Sequence, residues 1–394
     1  MSFDIALSGI QAINNQLNTV SNNIANAGTY GFKSSRANFS SMYAGAQATG
    51  VEVGSVTQNI GRNGGVLNTG RTLDASINGR GFFVSRDSQN TQLFSRVGIF
   101  KANSTGFLED SAGNKVQGYG VKPGSSVLGA LGDIQVPTGQ IPAVASTKMG
   151  YVANMSLEWT VPALPFNQTD LTTYNMSKLS VIYDSLGGKH NITQYFTKTA
   201  PNTIKVNYSI DNGPATATSN LTFNASGALT SPPVVGVVVP TTNGSISGAT
   251  VNINYTGTTQ FAGEATTSAD SPDGYASGSF TGVQLDENGS VVAAYTNGQK
   301  QTIAVLALAS FPDEGALTPV NDTSWVATAT AGTPLFDRPG TGMAGKLSVA
   351  TLEQSNVDIT SELVGLMTSQ RNYQANSKVI STESAMMQSL MQAL

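Results

Sequence analysis

The chain has 394 residues, of which only 11% are charged; its net charge is −4 and it has no cysteine. That composition offers no basic footprint for nucleic acid or an anionic membrane surface, and it excludes disulfides, thiolate catalysis and thiolate metal sites. With 42 glycines and abundant Ser, Thr and Asn, amides and hydroxyls replace charge over much of the surface, and the length predicts two or three domains.

The first thirty-two residues carry one formal charge, Asp4. Phe3, Ala6, Ile10, Ile13, Leu17, Val20 and Ile24 recur at alternating steps of three and four, which predicts a coiled-coil helix over 1–26. The opposite face carries Gln11, Asn15, Asn18, Asn22 and Asn26 where a solvated helix would carry Lys and Glu. With Asn23, these amides fit a packed setting, because amides satisfy one another and buried charges cost several kcal/mol each. Gly28 and Gly31 mark the exit from the helix, and Lys33 and Arg36 mark where charge is tolerated again.

Residues 27–70 are rich in Gly, Ala, Thr and Ser and read as an extended connector. From about 71 to 350 short Val, Ile, Phe and Tyr alternations are separated by Gly, Asn-Gly and Pro signals, which predicts strands and hairpins. Composition shifts near 147 and 282 divide this stretch into an inner β domain, 71–147 plus 283–350, and an inserted outer β domain, 148–282. A second coiled-coil helix is predicted within 351–394, with Ile359, Leu363, Leu366, Tyr373, Ile380, Met387, Met391 and Leu394 on one side, interrupted by Gln370, Ser377 and Ser384. At 1.5 Å per residue the two helices measure roughly 35 and 50 Å, so the second overhangs the first. The fold class is therefore mainly β, two or more β-rich domains with the second inserted in the first, with long N- and C-terminal α-helices pairing as a coiled coil.

Chemistry-bearing patterns are absent. His190 is the only histidine, beside a strand-connecting turn, and no His and Cys cluster has metal-ligand spacing. "NGRGFF" at 78–83 lacks the third glycine of a dinucleotide fingerprint, and "DENGS" at 286–290 lacks the acidic pattern of a calcium loop. Neighbouring acids such as Asp286 and Glu287 are solvated turn residues. The chain is expected to be no enzyme and to have no catalytic residue, cofactor or metal. No run of 18 apolar residues spans a membrane and no Sec signal opens the chain, so membrane insertion is not expected and any route out of the cytoplasm is another one.

Three stretches carry a resemblance. "SNNIAN" at 21–26 with Thr29, Gly31, Phe32 and Lys33 is similar to the N-terminal signature of the bacterial flagellar rod and hook axial proteins. "GVLNTGRTLDASINGRGFF" at 65–83 resembles the segment that opens that family's first β domain. Residues 352–394, with Ser355, Asn356, Val357, Asp358, Gln370, Arg371, Tyr373, Asn376 and Lys378, resemble its C-terminal helix. The additional segment 148–282, by its position and size, makes the chain resemble hook subunits rather than the shorter distal rod subunits. The resemblance implies a structural subunit exported by the flagellar type III apparatus and polymerised beneath a hook cap protein into a curved tube outside the cell. That tube joins a distal rod protein to a hook–filament junction protein and acts as a universal joint. The seam residues above, with Asn22, Asn23 and Asn26, are the expected self-assembly residues, and the chain itself the first partner. The alternatives are a straight distal rod subunit or a surface carbohydrate-binding module using scattered aromatics such as Trp159 and Tyr174.

Overall fold

The computed structural model describes residues 2–45, 47–122, 124–125, 127–231, 233–240, 244–246 and 248–393; Leu394, an expected seam residue, lies outside them. Among the described residues, short strands are framed by an N-terminal helix α1 (Ser2–Ala25) and a C-terminal helix α2 (Ile359–Ala393). The chain divides into two compact units, one of Met1–Thr138, Gly282–Ala294 and Lys300–Leu394, the other of Gly139–Thr281 and Tyr295–Gln299.

In the first unit α1 leads into a long antiparallel hairpin, β1 (Ser35–Ala44) and β2 (Gln47–Gln58). It lies inside the stretch expected to be an extended connector. Its signal is faint because alternation such as Phe39, Ser40, Ser41, Met42 is diluted by small polar residues, and Phe39, Met42 and Tyr43 remain exposed. The short strands β3 (Val66–Asn68) and β4 (Ala75–Asn78) pair antiparallel with Thr351–Glu353 and Lys346–Val349, so the chain just before α2 is laid against the chain just after the hairpin. The helical stretch thus begins at Ile359 rather than near 351, where strand pairing claims the backbone. Asp358 starts α2 as its N-cap, its carboxylate accepting the N–H of Thr360 at 3.0 Å.

Strand β5 (Phe82–Arg86) pairs with β6 (Gln92–Ser95) and with the strands at Lys115–Val121 and Leu308–Ser310. Neighbours on both sides explain its unbroken apolar start, "FFV". Phe82 packs edge-on against Phe311 and Trp325, with centroids 6.0 and 5.6 Å apart, in a core that also holds Ile60, Val84 and Phe94. The glycines of "NGRGFF" shape the bend before this strand, Gly79 at φ 118° and Gly81 at φ 112°.

The second unit contains two sheets. Lys148–Asn154 lies between Thr250–Asn254 and Thr266–Pro272, with Val234–Val238 at the edge; the other sheet runs Met176–Tyr183, Lys189–Ala200, Thr203–Ile210, Ala217–Phe223 and Leu229–Ser231 in order. Side chains of both, among them Tyr151, Phe196, Val206, Tyr208, Ile253 and Tyr255, form one core. The buried tyrosine tips at its centre are paired: Tyr255 Oη donates to Gln194 Oε1 at 2.6 Å and lies 2.8 Å from Tyr208 Oη. His190 sits on a strand of this unit, its Nδ1 2.6 Å from Asp211 Oδ2.

The helices are tied to the first unit's strands by a buried polar knot. Lys33, expected to mark where charge is tolerated again after α1, is fully enclosed: its side chain is 0% exposed and that of Glu353 is 2%. Lys33 Nζ donates to Glu353 Oε1 at 2.6 Å and to the carbonyl of Arg62 at 2.8 Å. Gly64 N–H donates to the same carboxylate oxygen at 3.0 Å, and Arg96 Nη1 lies 3.5 Å from Oε2. Asn356 accepts from Ser34 N–H at 2.7 Å and donates to the carbonyls of Asn59 and Arg62 at 2.8 and 2.9 Å. Gly31 at φ 67° donates its N–H to the Glu353 carbonyl at 2.8 Å, and a Cβ there would stand 2.9 Å from Val97 Cγ2. A Cβ on Gly64 would fall 1.8 Å from the Gln354 carbonyl oxygen, so both glycines are required by close backbone approach.

One carboxylate thus holds two buried cations. Glu353→Gln leaves both uncompensated and is expected to cost the first unit about 3–5 kcal/mol. Denaturant unfolding of a Trp159→Phe background, in which Trp325 alone reports, measures it; a loss below about 1 kcal/mol would show that Glu353 does not carry the knot. Burial pushes the Lys33 ammonium below the ordinary lysine range, Arg96 pushes it the same way, and Glu353 offsets only part. Between that lowered pKa and the ordinary value of 10.5 the unfolded chain binds more protons than the folded one, so stability attributable to Lys33 rises with pH across this window. In Lys33→Met that alkaline gain should vanish, and an unchanged pH slope in the same unfolding experiment would contradict it.

Candidate assembly surface

Helices α1 and α2 lie against each other in antiparallel order. Asn23 Nδ2 donates to Glu362 Oε1 at 2.9 Å near one end, and a Cβ on Gly9 would meet Asn376 Nδ2 at 3.2 Å further along. Asn23 also brackets the start of β1, donating to the carbonyl of Ser35 at 2.8 Å and accepting its N–H at 2.9 Å.

Of the expected α1 residues, Ala6, Ile13, Val20 and Asn23 are buried, Ile10, Leu17, Ile24 and Asn26 half-buried, and Phe3 and Asn22 exposed. Asn26 turns back on its own helix, its Nδ2 donating to the Asn22 carbonyl at 3.0 Å. Gly9 and Ala12 are also buried, so the covered stripe alternates apolar residues with very small ones. On α2, Leu366 and Ile380 are half-buried, while Ile359, Leu363, Tyr373, Met387 and Met391 are exposed. The less exposed line instead runs through Glu362, Gly365, Ser369 and Asn376, of which Ser369 is fully buried. Small and amide residues make the closest approach, and a search for apolar knobs misses them. Their signal in sequence is a second seven-residue spacing, Glu362, Ser369 and Asn376, one step before the expected seam positions held by Leu363 and the polar Gln370.

The consequence is that this helix pair leaves much apolar surface uncovered. Phe3, Ile5 and Leu7 on α1, whose only charged residue is Asp4, and Leu363, Val364, Met367, Tyr373 and Val379 on α2 are exposed. Exposed apolar area of this kind is the mark of an interaction surface. The β1–β2 hairpin rises beside α1: Ser8 Oγ accepts the Val51 N–H at 3.2 Å, and a Cβ on Gly50 would fall 2.1 Å from that oxygen. Between α1, the hairpin and α2 lies a groove of about 580 Å³, walled by Ile5, Ala12, Ile13, Phe39, Val51 and Ala375 among others. Among the described residues no group of His, Cys, Asp and Glu could hold a metal ion, and no helix is long and apolar enough to cross a membrane.

Comparison with known proteins places these features. Residues 3–33 match the family described as Flagella basal body rod protein, 76–153 the Flagellar hook protein FlgE/F/G D1 domain, 154–275 the Flagellar basal body protein FlaE D2 domain, and 350–393 the Flagellar basal body rod FlgEFG protein C-terminal. The chain is 35% identical over 402 residues to the flagellar hook protein FlgE of Salmonella typhimurium, covering 99% of each chain. It is 33% identical over 403 residues to that of Escherichia coli, again covering 99% of each. The crystal structure of Helicobacter pylori flagellar hook protein FlgE2 shares the fold with a TM-score of 0.53 at 13% identity, covering 71% of this chain and 98% of that one. Matched from end to end by hook proteins and in its parts by four flagellar axial families, this chain belongs to the flagellar hook protein family.

Proposed function

We propose that the chain is the structural subunit of the bacterial flagellar hook, polymerising into a curved, flexible tube that transmits torque from rod to filament. The observation that carries this reading is the α1–α2 pair, with α1 nearly uncharged and apolar surface uncovered on both helices, in a chain similar over its whole length to hook proteins. The protein is a structural subunit and not an enzyme. Its first partner is itself, in a helical homopolymer. The hook cap protein, the distal rod protein, the hook–filament junction protein and the flagellar type III export apparatus follow from the same reading, as does a place outside the cell after export.

In this reading the helices pair as an antiparallel coiled coil through Ala6, Ile13 and Val20 and form the innermost layer of the tube, together with Phe3, Ile10, Leu17, Ile24 and the α2 residues Ile359, Leu363, Leu366, Tyr373, Ile380, Met387 and Met391. Nearly uncharged helices hold subunits together along the axis without an electrostatic preference for what passes inside. Residues 71–147 plus 283–350 form the inner β domain, and 148–282 an outer β domain inserted in it. Contacts between polar, hydroxyl-rich surfaces are worth on the order of 1 kcal/mol each and exchange with water at little net cost. Such surfaces slide as subunit spacing changes during rotation.

Ile13→Asp puts a carboxylate into the helix seam and is expected to raise the critical concentration for polymerisation more than about 100-fold, while far-UV circular dichroism keeps the β signal. Sedimentation of purified chains reads the first effect, and normal polymers from this variant would refute the helical layer. Removing 148–282 should yield polymers of altered curvature or stiffness by electron microscopy; complete failure to polymerise would overturn the division of labour between helices and outer domain.

A further inference from the structure

We propose that the C-terminal end of α2 docks into the apolar groove between α1, the β1–β2 hairpin and α2 of a second copy of this chain. The inference rests on the self-assembly reading above and names the two surfaces that meet.

The argument begins with helix length. Asn23 stands opposite Glu362 and Gly9 opposite Asn376, so the helices run past each other residue for residue in antiparallel order. In that register Ser2, the first described residue of α1, comes level with Glu383, and residues 384–393 of α2 continue beyond it. Those residues extend about 15 Å at 1.5 Å per residue. Residues 384–393 contain no charge, and Met386, Met387, Leu390 and Met391 are between 59% and 74% exposed. At i, i+1, i+4 and i+5 they share one side of the helix. A short uncharged helix end with its apolar side in water is marginal until something packs against it.

The groove has the complementary character. Its volume of about 580 Å³ falls within the roughly 300–1,000 Å³ of recognition clefts. No charged side chain is among its walls, so an uncharged helix can enter without desolvating an ion. Gly9 and Gly50 let the groove's walls approach one another closely, since a Cβ would stand 3.2 Å from Asn376 Nδ2 at the first and 2.1 Å from Ser8 Oγ at the second. Methionines adapt to an irregular apolar cleft, and an amphipathic helix in a groove is a recurrent mode of recognition. The end of α2 cannot fill its own groove: Asn372, Ala375 and Asn376 of the same helix already form one wall, and the helix continues past them. The occupant is therefore the α2 end of another copy. Tail and groove are different surfaces of one chain, so the contact is heterologous, the kind that generates an open helical polymer whenever its rotation does not close a ring.

The absence of cysteine makes the test clean. Chains carrying L390C in the tail and chains carrying A48C at the groove are mixed, polymerised and oxidised, alongside each variant alone. The expected result is heterodimeric cross-links at least tenfold above either variant alone, and a ladder of higher multimers from the L390C/A48C double variant. Polymers that form normally but cross-link only tail to tail, or not at all, overturn the docking and leave self-assembly standing. Wild-type chains that do not polymerise overturn the self-assembly reading, and the docking with it. Leu390→Asp, placed where α2 has passed the end of α1, should raise the critical concentration at least tenfold with the monomer's circular dichroism unchanged; an unaltered critical concentration also overturns the proposal.

Discussion

A carboxylate enclosed between two cations holds the two ends of this chain together. Glu353 belongs to the strand that precedes α2, Lys33 to the turn that follows α1, and Arg96 to the β core, stacked 5.3 Å from the Phe82 ring. Removing such charges from water is costly, and the geometry recovers the cost only because nearly every polar group nearby has a partner. Gly64, Ser34 and the carbonyls of Asn59 and Arg62 supply those partners, directly or through Asn356. A knot of this kind has one low-energy arrangement. It fixes where both helices leave the β framework, and a load on the helices is delivered to the strands through it.

Beyond the knot the energetic style changes. The helices meet through Gly9, Ala12, Gly365, Ser369 and Asn376, side chains that permit close approach but bury little apolar area. Leucines, methionines and a tyrosine of α2 stay outward instead. Isolated helix pairs of this sort draw limited stability from each other, and the remaining apolar area becomes stabilising when neighbours cover it. The near absence of charge on α1 follows the same logic, since a surface that will be covered on several sides has no water to solvate Lys or Glu.

The β units resolve the opposite requirement. Their interiors are conventional, with aromatic cores around Phe82, Phe311 and Trp325 in one and Tyr151, Phe196 and Tyr255 in the other. Their surfaces are rich in hydroxyls and amides. In the proposed polymer, strong internal packing combined with weak, exchangeable external contacts lets a unit keep its shape while its neighbours shift.

Strand and helix content were legible in sequence because periodicities of two and of seven survive any tertiary context. The Phe-Phe start of β5, the hairpin glycines and the Ala6, Ile13, Val20 stripe could all be read directly. The charge deficit and the three family stretches pointed to a packed, self-assembling terminus. What sequence could not disclose depends on residues distant in the chain. The burial of Lys33 requires Glu353, some 320 positions away, and the hairpin at 35–58 pairs its own two strands and is also bonded to Ser8 of α1, a contact its alternation does not announce. The small-residue line of α2 emerges only when α1 is laid beside it, because Gly and Ser carry no hydrophobic signal of their own. Sequence by itself determined the two terminal helices, the β character of the stretch between them and that the ends should pack; tertiary structure alone decided the 35–58 hairpin and which faces meet, since close approach selects for the absence of a side chain and pattern reading detects only its presence.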